Sequence, residues 1–388
     1  MRISIIDSYS YKNFHEIFNA SFLVECLLIT NNVRYYSCTS ALRAIKYLIN
    51  KNYLRNVNFI TIPVIENDSK ICILLRYILS TIINCFLLLK ENNNTILIFN
   101  NNNIFSLYLI NILNKLIKKN IIILCHGEFE IFNNIKKNNQ HVFWKIYNIL
   151  LKIFFTNFNN ILNKNIIFLV LGDNIKNNLK KHINKNIFTN IYSIDHSYIN
   201  KSYQAYKKKK NEIPIKFGII GFIHQGKNLT QAVLLAKKLS KEILAKKIKI
   251  FSTDISNELI SAGIIVPSKK KAFSREEYDK KIIELDYILF FYNKDMYKYT
   301  ASGPFFDALF MEKPIIALKN NYFEYMFKKY GEFGILLDSI EEIAILIIEL
   351  IKGKEFPIFN FKNIQKKILP ENNKKQLINV LEEAGYNL

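Results

Sequence analysis

The segment YTASGPFFDALFMEKPIIAL, Tyr299 to Leu318, decides how the chain is read. A small polar turn, Ala301-Ser302-Gly303, leads into an apolar stretch that carries a single acid, Asp307. A second turn, Glu312-Lys313-Pro314, leads into a short aliphatic run. Proline suits the first helical position, so Pro304 makes Gly303 the expected N-cap. Asp307 then falls in the first turn, where a carboxylate favours the helix dipole by roughly 0.3–1 kcal/mol. A helix followed by an unalternated aliphatic strand is one beat of a βα rhythm, which implies a parallel sheet covered on both faces.

The same beat recurs on either side. Aliphatic or β-branched strands are expected at 2–7, 33–38, 57–65, 95–100, 120–127, 165–172 and 187–194, with helices at 13–30, 41–53, 71–90, 105–119 and 174–183 between them. The run 200–215 is polar, strongly charged and without apolar period, and reads as a linker. After it come strands at 215–222, 247–252 and 287–293 and helices at 228–241, 274–285 and 340–353, then a last helix in the tail. The fold class is α/β with two domains, which a chain of 388 residues accommodates better than one core. No shorter internal repeat is visible.

Half of the residues are hydrophobic, which excludes disorder as a description of the whole. Abundant Asn, Lys and Ile resemble the bias of an AT-rich genome, and Asn runs such as 92–94 and 100–103 read as loops. The net charge is +22, from 54 basic and 32 acidic residues. That charge attracts nucleic acid, an anionic membrane or a phosphorylated ligand. No zinc-finger or RNP-type signature accompanies it, so most lysines are expected on a solvated surface. Cys26, Cys38, Cys72, Cys85 and Cys125 lack CxxC spacing and read as reduced thiols of a cytosolic protein. MRISIID reads as a strand start rather than a signal peptide. The stretches 71–90 and VFWKIYNILLKIFFTNF are interrupted by Arg76, Lys145 and Lys152, and read as buried or interfacial helices rather than spans.

In open α/β sheets ligands bind at the C-terminal ends of strands, so the candidates are the polar residues that follow strands. After the strand at 215 come His224, Gly226 and Lys227, then a helix; a lysine at a helix start suits a phosphate. Spacing alone does not separate this from an ordinary turn with a surface lysine. At the opening segment, the N–H groups of Phe305 and Phe306 with Ser302 and Gly303 suit a phosphate, and Asp307 a ribose diol; the alternative is a simple dipole acid. His126, Glu128 and Glu130 follow the strand at 120–127 and could serve a sugar, with Glu128 as a base. Asn293, Asp295, Tyr297 and Tyr299 follow the strand at 287–293, and read equally as a solvated loop.

FGIIGFIHQGKNLTQAVLLAKKL and DYILFFYNKDMYKYTASGPFFDALFMEKPIIAL together resemble the second domain of GT-B-fold glycosyltransferases, and among them glycosyltransferase family 4. The resemblance implies two Rossmann-like domains with parallel sheets facing a central cleft. Residues 1–200 would form the acceptor side, 201–370 the nucleotide-sugar donor side, and 371–388 a helix packing back toward the first domain. Lys227, with Gly226, falls where the family holds the donor diphosphate, aided by Ser302, Gly303 and Phe305. Asp307 takes the place of the second glutamate of the family's E-x7-E motif, the ribose holder, and Tyr299 that of the first. Tyr299, Asp295 and His224 would lie near the donor sugar. His126, with Glu128, would act on the sugar from the first domain.

The implied reaction is transfer of a hexosyl-type unit from a UDP- or GDP-sugar to a lipid-linked or glycan acceptor in bacterial surface polysaccharide assembly, with retention. No DxD triplet is present, so no metal or other cofactor is expected. The basic charge implies a cytoplasmic protein peripheral at the inner face of the cytoplasmic membrane, drawn to an anionic surface and not to nucleic acid. Other readings are a nucleotide-sugar epimerase or phosphorylase on the same fold, a non-catalytic nucleotide- or sugar-binding protein, and, from charge alone, a nucleic-acid-binding protein.

Overall fold

The structure, a computed structural model, describes residues 1–133, 142–157, 162–199, 213–221, 228–268 and 273–386. The chain forms two compact units. The first holds Met1–Lys201, Tyr299–Ala301 and Ile368–Leu388; the second holds Ser202–Lys298 and Ser302–Lys367.

The first unit is built on strands β1 (Arg2–Ile6), β2 (Val33–Ser37), β3 (Val57–Thr61), β4 (Thr95–Phe99), β5 (Ile121–Cys125), β6 (Ile166–Val170) and β7 (Ile191–Ser193). All pair in parallel, in the order β3-β2-β1-β4-β5-β6-β7. Every residue of β4, β5 and β6 is buried. That is why these strands read as continuous apolar runs: helices cover both faces. The second unit carries β8 (Ile215–Ile219), β9 (Ile248–Ser252), β10 (Tyr287–Phe290), β11 (Ile315–Leu318) and β12 (Gly334–Leu337). They form a parallel sheet in the order β12-β11-β10-β8-β9.

Three departures from the sequence reading have local causes. The strand expected at 187–194 shrinks to β7, because Asn184 caps a short helix, Lys185–Phe188, through its side chain at 2.9 Å from the Asn186 N–H. The expected helix at 228–241 breaks at Leu239 into Leu229–Lys238 and Ser240–Leu244. The sequence reading assigns neither the helix Asn321–Tyr330 nor the strand β12 after it, whose four residues, GILL, are too short to show a period. The expected linker lies outside the described residues over 200–212. All five cysteines are free thiols.

Two lysines depart from the solvated-surface reading in the same way. Lys119, just before β5, is 2 % exposed and points its Nζ at the Leu88 and Leu89 carbonyls, at 2.5 and 3.4 Å, and at that of Glu91. These close the helix Lys70–Lys90. Lys313, just before β11, donates to the carbonyls of Ile283 and Leu285 at 2.7 and 2.6 Å, closing the helix Arg275–Ile283. In each unit a buried ammonium thus satisfies orphan carbonyls at the negative end of a helix dipole. Burial pushes the Lys313 amine down to about 8.

The last helix, Pro370–Glu383, packs on the first, Glu16–Leu27, within the first unit. Gln376 clasps Asp195, accepting from its N–H at 2.8 Å and donating to its carboxylate at 3.0 Å. Glu25 is fully buried beside this clasp. Burial pushes its carboxyl up to about 8; Ser197 and Asn373 oppose the shift and the Asp195 charge adds to it. Between an ordinary carboxylate value of 4.5 and about 8, the unfolded chain releases this proton while the folded chain keeps it. The group therefore makes stability fall as pH rises through that window. Glu25→Gln is expected to flatten the decline of the melting temperature between these limits; an unchanged slope would show that Glu25 does not titrate this way.

Gly334 pairs with Ile315 on the neighbouring strand, and a Cβ there would sit 2.2 Å from the Ile315 carbonyl oxygen. Backbone cannot move aside as a side-chain end can. Gly334→Ala is expected to cost about 1–3 kcal/mol, read as a lower urea midpoint.

Candidate functional site

In the second unit the strand order reverses between β8 and β10, and the crevice beyond such a reversal is where α/β sheets bind ligands. Asparagines tie the loops of this rim together. Asn228, at the start of the helix after β8, donates to the Asn293 side chain beyond β10 at 3.0 Å. Asn320, beyond β11, donates to the carbonyls of Asn293 and Met296, each at 3.2 Å. Asn293, in the loop after β10, therefore joins Asn228 and Asn320 at one edge of the sheet.

The helix of the opening segment runs Gly303–Phe310, with Ser302 and not Gly303 as its N-cap, and Pro304 one position later than expected. The Ser302 hydroxyl does not cap it. It is fully buried and lies 3.1 Å from the Tyr292 hydroxyl, while the Ser302 N–H donates to Tyr322 at 3.1 Å. Among the described residues, no side chain caps the first turn of this helix. Its N–H groups and the positive end of its dipole suit an anion. Gly303 is exposed with open space around its Cα, and Phe305 is buried against Tyr322 and Phe333, holding the helix start in place.

The shifted cap moves Asp307 out of the first turn, so the dipole explanation for this acid fails. Its partners come from another helix. Arg275 donates to Asp307 Oδ1 at 3.0 Å and Tyr278 to Oδ2 at 3.2 Å, and Arg275 also pairs with Asp279 at 2.7 Å. Ser274 starts that helix with a capping box closed by Glu277. Sequence reasoning missed Arg275 and Tyr278 because 32 and 29 residues separate them from Asp307. Beyond β8 and β9 lies a cavity of about 320 Å³, lined by Ile219, Phe251, Thr253, Val266 and Phe273 among others. It falls in the size range of small-ligand pockets. Asp295 is exposed and pairs loosely with Lys298 at 3.4 Å. His224, Gly226 and Lys227 lie outside the described residues.

The remaining candidates belong to the first unit. His126 follows β5, stacked on His15 at 4.6 Å and edge-on to Phe18 at 4.9 Å, with His196 5.0 Å from the same Phe18. Burial, then the neighbouring His15 and His196, push His126 well below its ordinary value. It is therefore neutral at pH 7 and suited to hydrogen bonding rather than to carrying charge. Its carbonyl accepts from the Thr300 hydroxyl. Glu128 opens a short 3-10 helix, Glu128–Phe132, and accepts from the Gly127 N–H at 3.0 Å; burial raises its pKa. His15 and His196 had not been singled out, since they reach His126 and Phe18 only through packing. Tyr299 is 3 % exposed, and its hydroxyl lies 2.9 Å from His182 Nε2. Its ring meets Phe132 edge-on. It serves as an anchor of the first unit.

No family model and no curated protein sequence matches the chain. Solved structures do. WaaG, a glycosyltransferase involved in lipopolysaccharide biosynthesis, matches with a TM-score of 0.58 at 11% identity, over 97% of this chain and 99% of that one. The lipopolysaccharide outer core galactosyltransferase WaaB matches with a TM-score of 0.55 at 12% identity, over 98% and 99%. TarM matches with a TM-score of 0.52 at 14% identity over 79% of this chain, which spans 58% of TarM. The chain has the GT-B glycosyltransferase fold.

Arg275→Ala leaves the Asp307 and Asp279 carboxylates buried without this cation. It is expected to destabilise the protein by on the order of 3 kcal/mol in urea unfolding, more than Asp307→Asn, which removes one charge of the cluster.

Proposed function

We propose that the protein transfers a glycosyl unit from a nucleotide-sugar to an acceptor. The observation that carries this reading is the uncapped helix start at Ser302-Gly303, set at the strand-order reversal of the second unit. A diphosphate leaving group gathers negative charge as the glycosidic bond breaks. Backbone N–H groups fixed in advance and a lysine stabilise that charge without reorganisation. In this reading the N–H groups of Gly303 and Phe305 and the Lys227 ammonium hold the donor diphosphate. Asp307 receives the ribose diol, its carboxylate oriented by Arg275 and Tyr278. The nucleobase enters the cavity beyond β8 and β9, whose lining includes Phe251 and Val266. His126, neutral at pH 7, hydrogen-bonds the sugar, and Glu128 assists it.

The finer features of this proposal are a UDP- or GDP-hexose donor, a lipid-linked or glycan acceptor, retention of anomeric configuration and no metal requirement. They rest on the resemblance of the motifs in the second unit. WaaG is a glycosyltransferase involved in lipopolysaccharide biosynthesis and WaaB a lipopolysaccharide outer core galactosyltransferase, which agrees with a surface-glycan acceptor.

Calorimetric titration with UDP and GDP tests the donor site. Lys227→Ala is expected to lower affinity about tenfold or more, the loss of one charge-assisted contact. An unchanged affinity for both nucleotides rejects the assignment. Transfer is read separately, as a glycoside product from a panel of nucleotide-sugars; nucleotide binding without any product supports the non-catalytic reading instead.

A further inference from the structure

The first unit presents one face that a water-soluble surface does not explain. The helix Lys70–Lys90 exposes Ile71, Ile78, Ile82 and Leu89, at intervals of whole helical turns. The helix Ile104–Ile117 packs beside it and exposes Phe105, Leu109, Ile112 and Leu116. The helix Val142–Thr156 packs on that one and exposes Ile146, Ile149 and Ile153. The exposure is deep: 83% at Leu116 and 73% at Ile71. Three neighbouring apolar stripes make a continuous patch of the kind that marks a docking surface.

Lys70–Lys90 is the one helix among the described residues that is long and apolar enough to cross a membrane, by length and composition. Its inner face is committed to the unit. Arg76 donates to the Ile65 carbonyl at 2.8 Å, Ser80 lies 2.7 Å from Ser8, and Asn84 donates to Ser106 at 2.9 Å. Only the outer stripe is free to meet lipid, so the helix lies along a surface rather than through it.

Charge selects the occupant. None of the three helices carries an Asp or Glu, while Lys70, Lys90, Lys115, Lys145 and Lys152 are all exposed on them. A second copy docked by this face around a two-fold axis would set these lysines against themselves. An anionic leaflet would meet both the apolar stripes and the lysines. Trp144, the single tryptophan of the chain, is half-buried at the start of the third helix, against Tyr77 and Tyr147. Such a side chain suits the water–lipid boundary.

We propose that the outer faces of the helices Lys70–Lys90, Ile104–Ile117 and Val142–Thr156 form a single docking surface that seats the protein in one leaflet of an anionic lipid bilayer. This surface lies in the first unit and does not depend on the donor assignment.

The test uses the full chain with vesicles of phosphatidylcholine, alone or mixed with phosphatidylglycerol. Co-sedimentation with the mixed vesicles is expected, with a blue shift of Trp144 emission that salt weakens. Two exposed pairs are then changed: Ile78→Glu with Ile112→Glu, and Lys145→Glu with Lys152→Glu. Each double variant is expected to lower partition about tenfold or more, with the circular dichroism spectrum unchanged. No sedimentation of the native chain, equal partition of native and variant chains, or a dimer in analytical ultracentrifugation that Ile78→Glu with Ile112→Glu dissolves, overturns the proposal. Titration of the same variants with UDP and GDP keeps the donor site as a separate question.

Discussion

A parallel strand covered by helices on both faces leaves little room for polar side chains along its length. Every residue of β4, β5 and β6 is buried, and so is nearly every residue of β8, β10 and β11. Chemistry is therefore confined to the ends of strands, and the C-terminal ends carry His126, Asn293, Ser302 and Asn320. Asn228, Asn293 and Asn320 in the second unit hold loops that the sheet itself cannot hold.

Some polar groups that enter the interior are there to finish backbone. Lys119 and Lys313 each stand just before a central strand and reach back to the carbonyls that end a helix. Ser302 gives up helix capping for bonds to Tyr292 and Tyr322, and this leaves the helix start without a cap from its own N-cap side chain. Ser8, Ser80 and Asn84 pin the inner face of the helix Lys70–Lys90 to the end of β1, which turns its most apolar stripe outward. In each case a short polar contact inside decides what is presented outside.

The alternation of strands and helices was legible because it depends on runs of five to fifteen residues. The strand at 2–7, the helix at 71–90 and the βα beat around Asp307 all appear close to their expected places. Errors fell where a side-chain cap outweighed an apolar run, as at Asn184, or where an element was four residues long, as in β12. The strand ends of the second unit were legible as well, since strands can be counted. The helix register at Gly303–Phe310 was missed by one residue, and that one residue changes the meaning of Asp307.

By itself the sequence determined two α/β units, the short buried strands and the loops that could carry chemistry. These follow from local periodicity, glycine and proline. Tertiary structure alone decided that Asp307 answers to Arg275, that Tyr299 anchors the first unit through His182, and that His126 shares its surroundings with His15 and His196. It also decided which stripe of the helix Lys70–Lys90 faces outward. The physical reason is the same each time: such contacts join residues tens or hundreds of positions apart, and packing within each unit, not spacing along the chain, brings them within bonding distance.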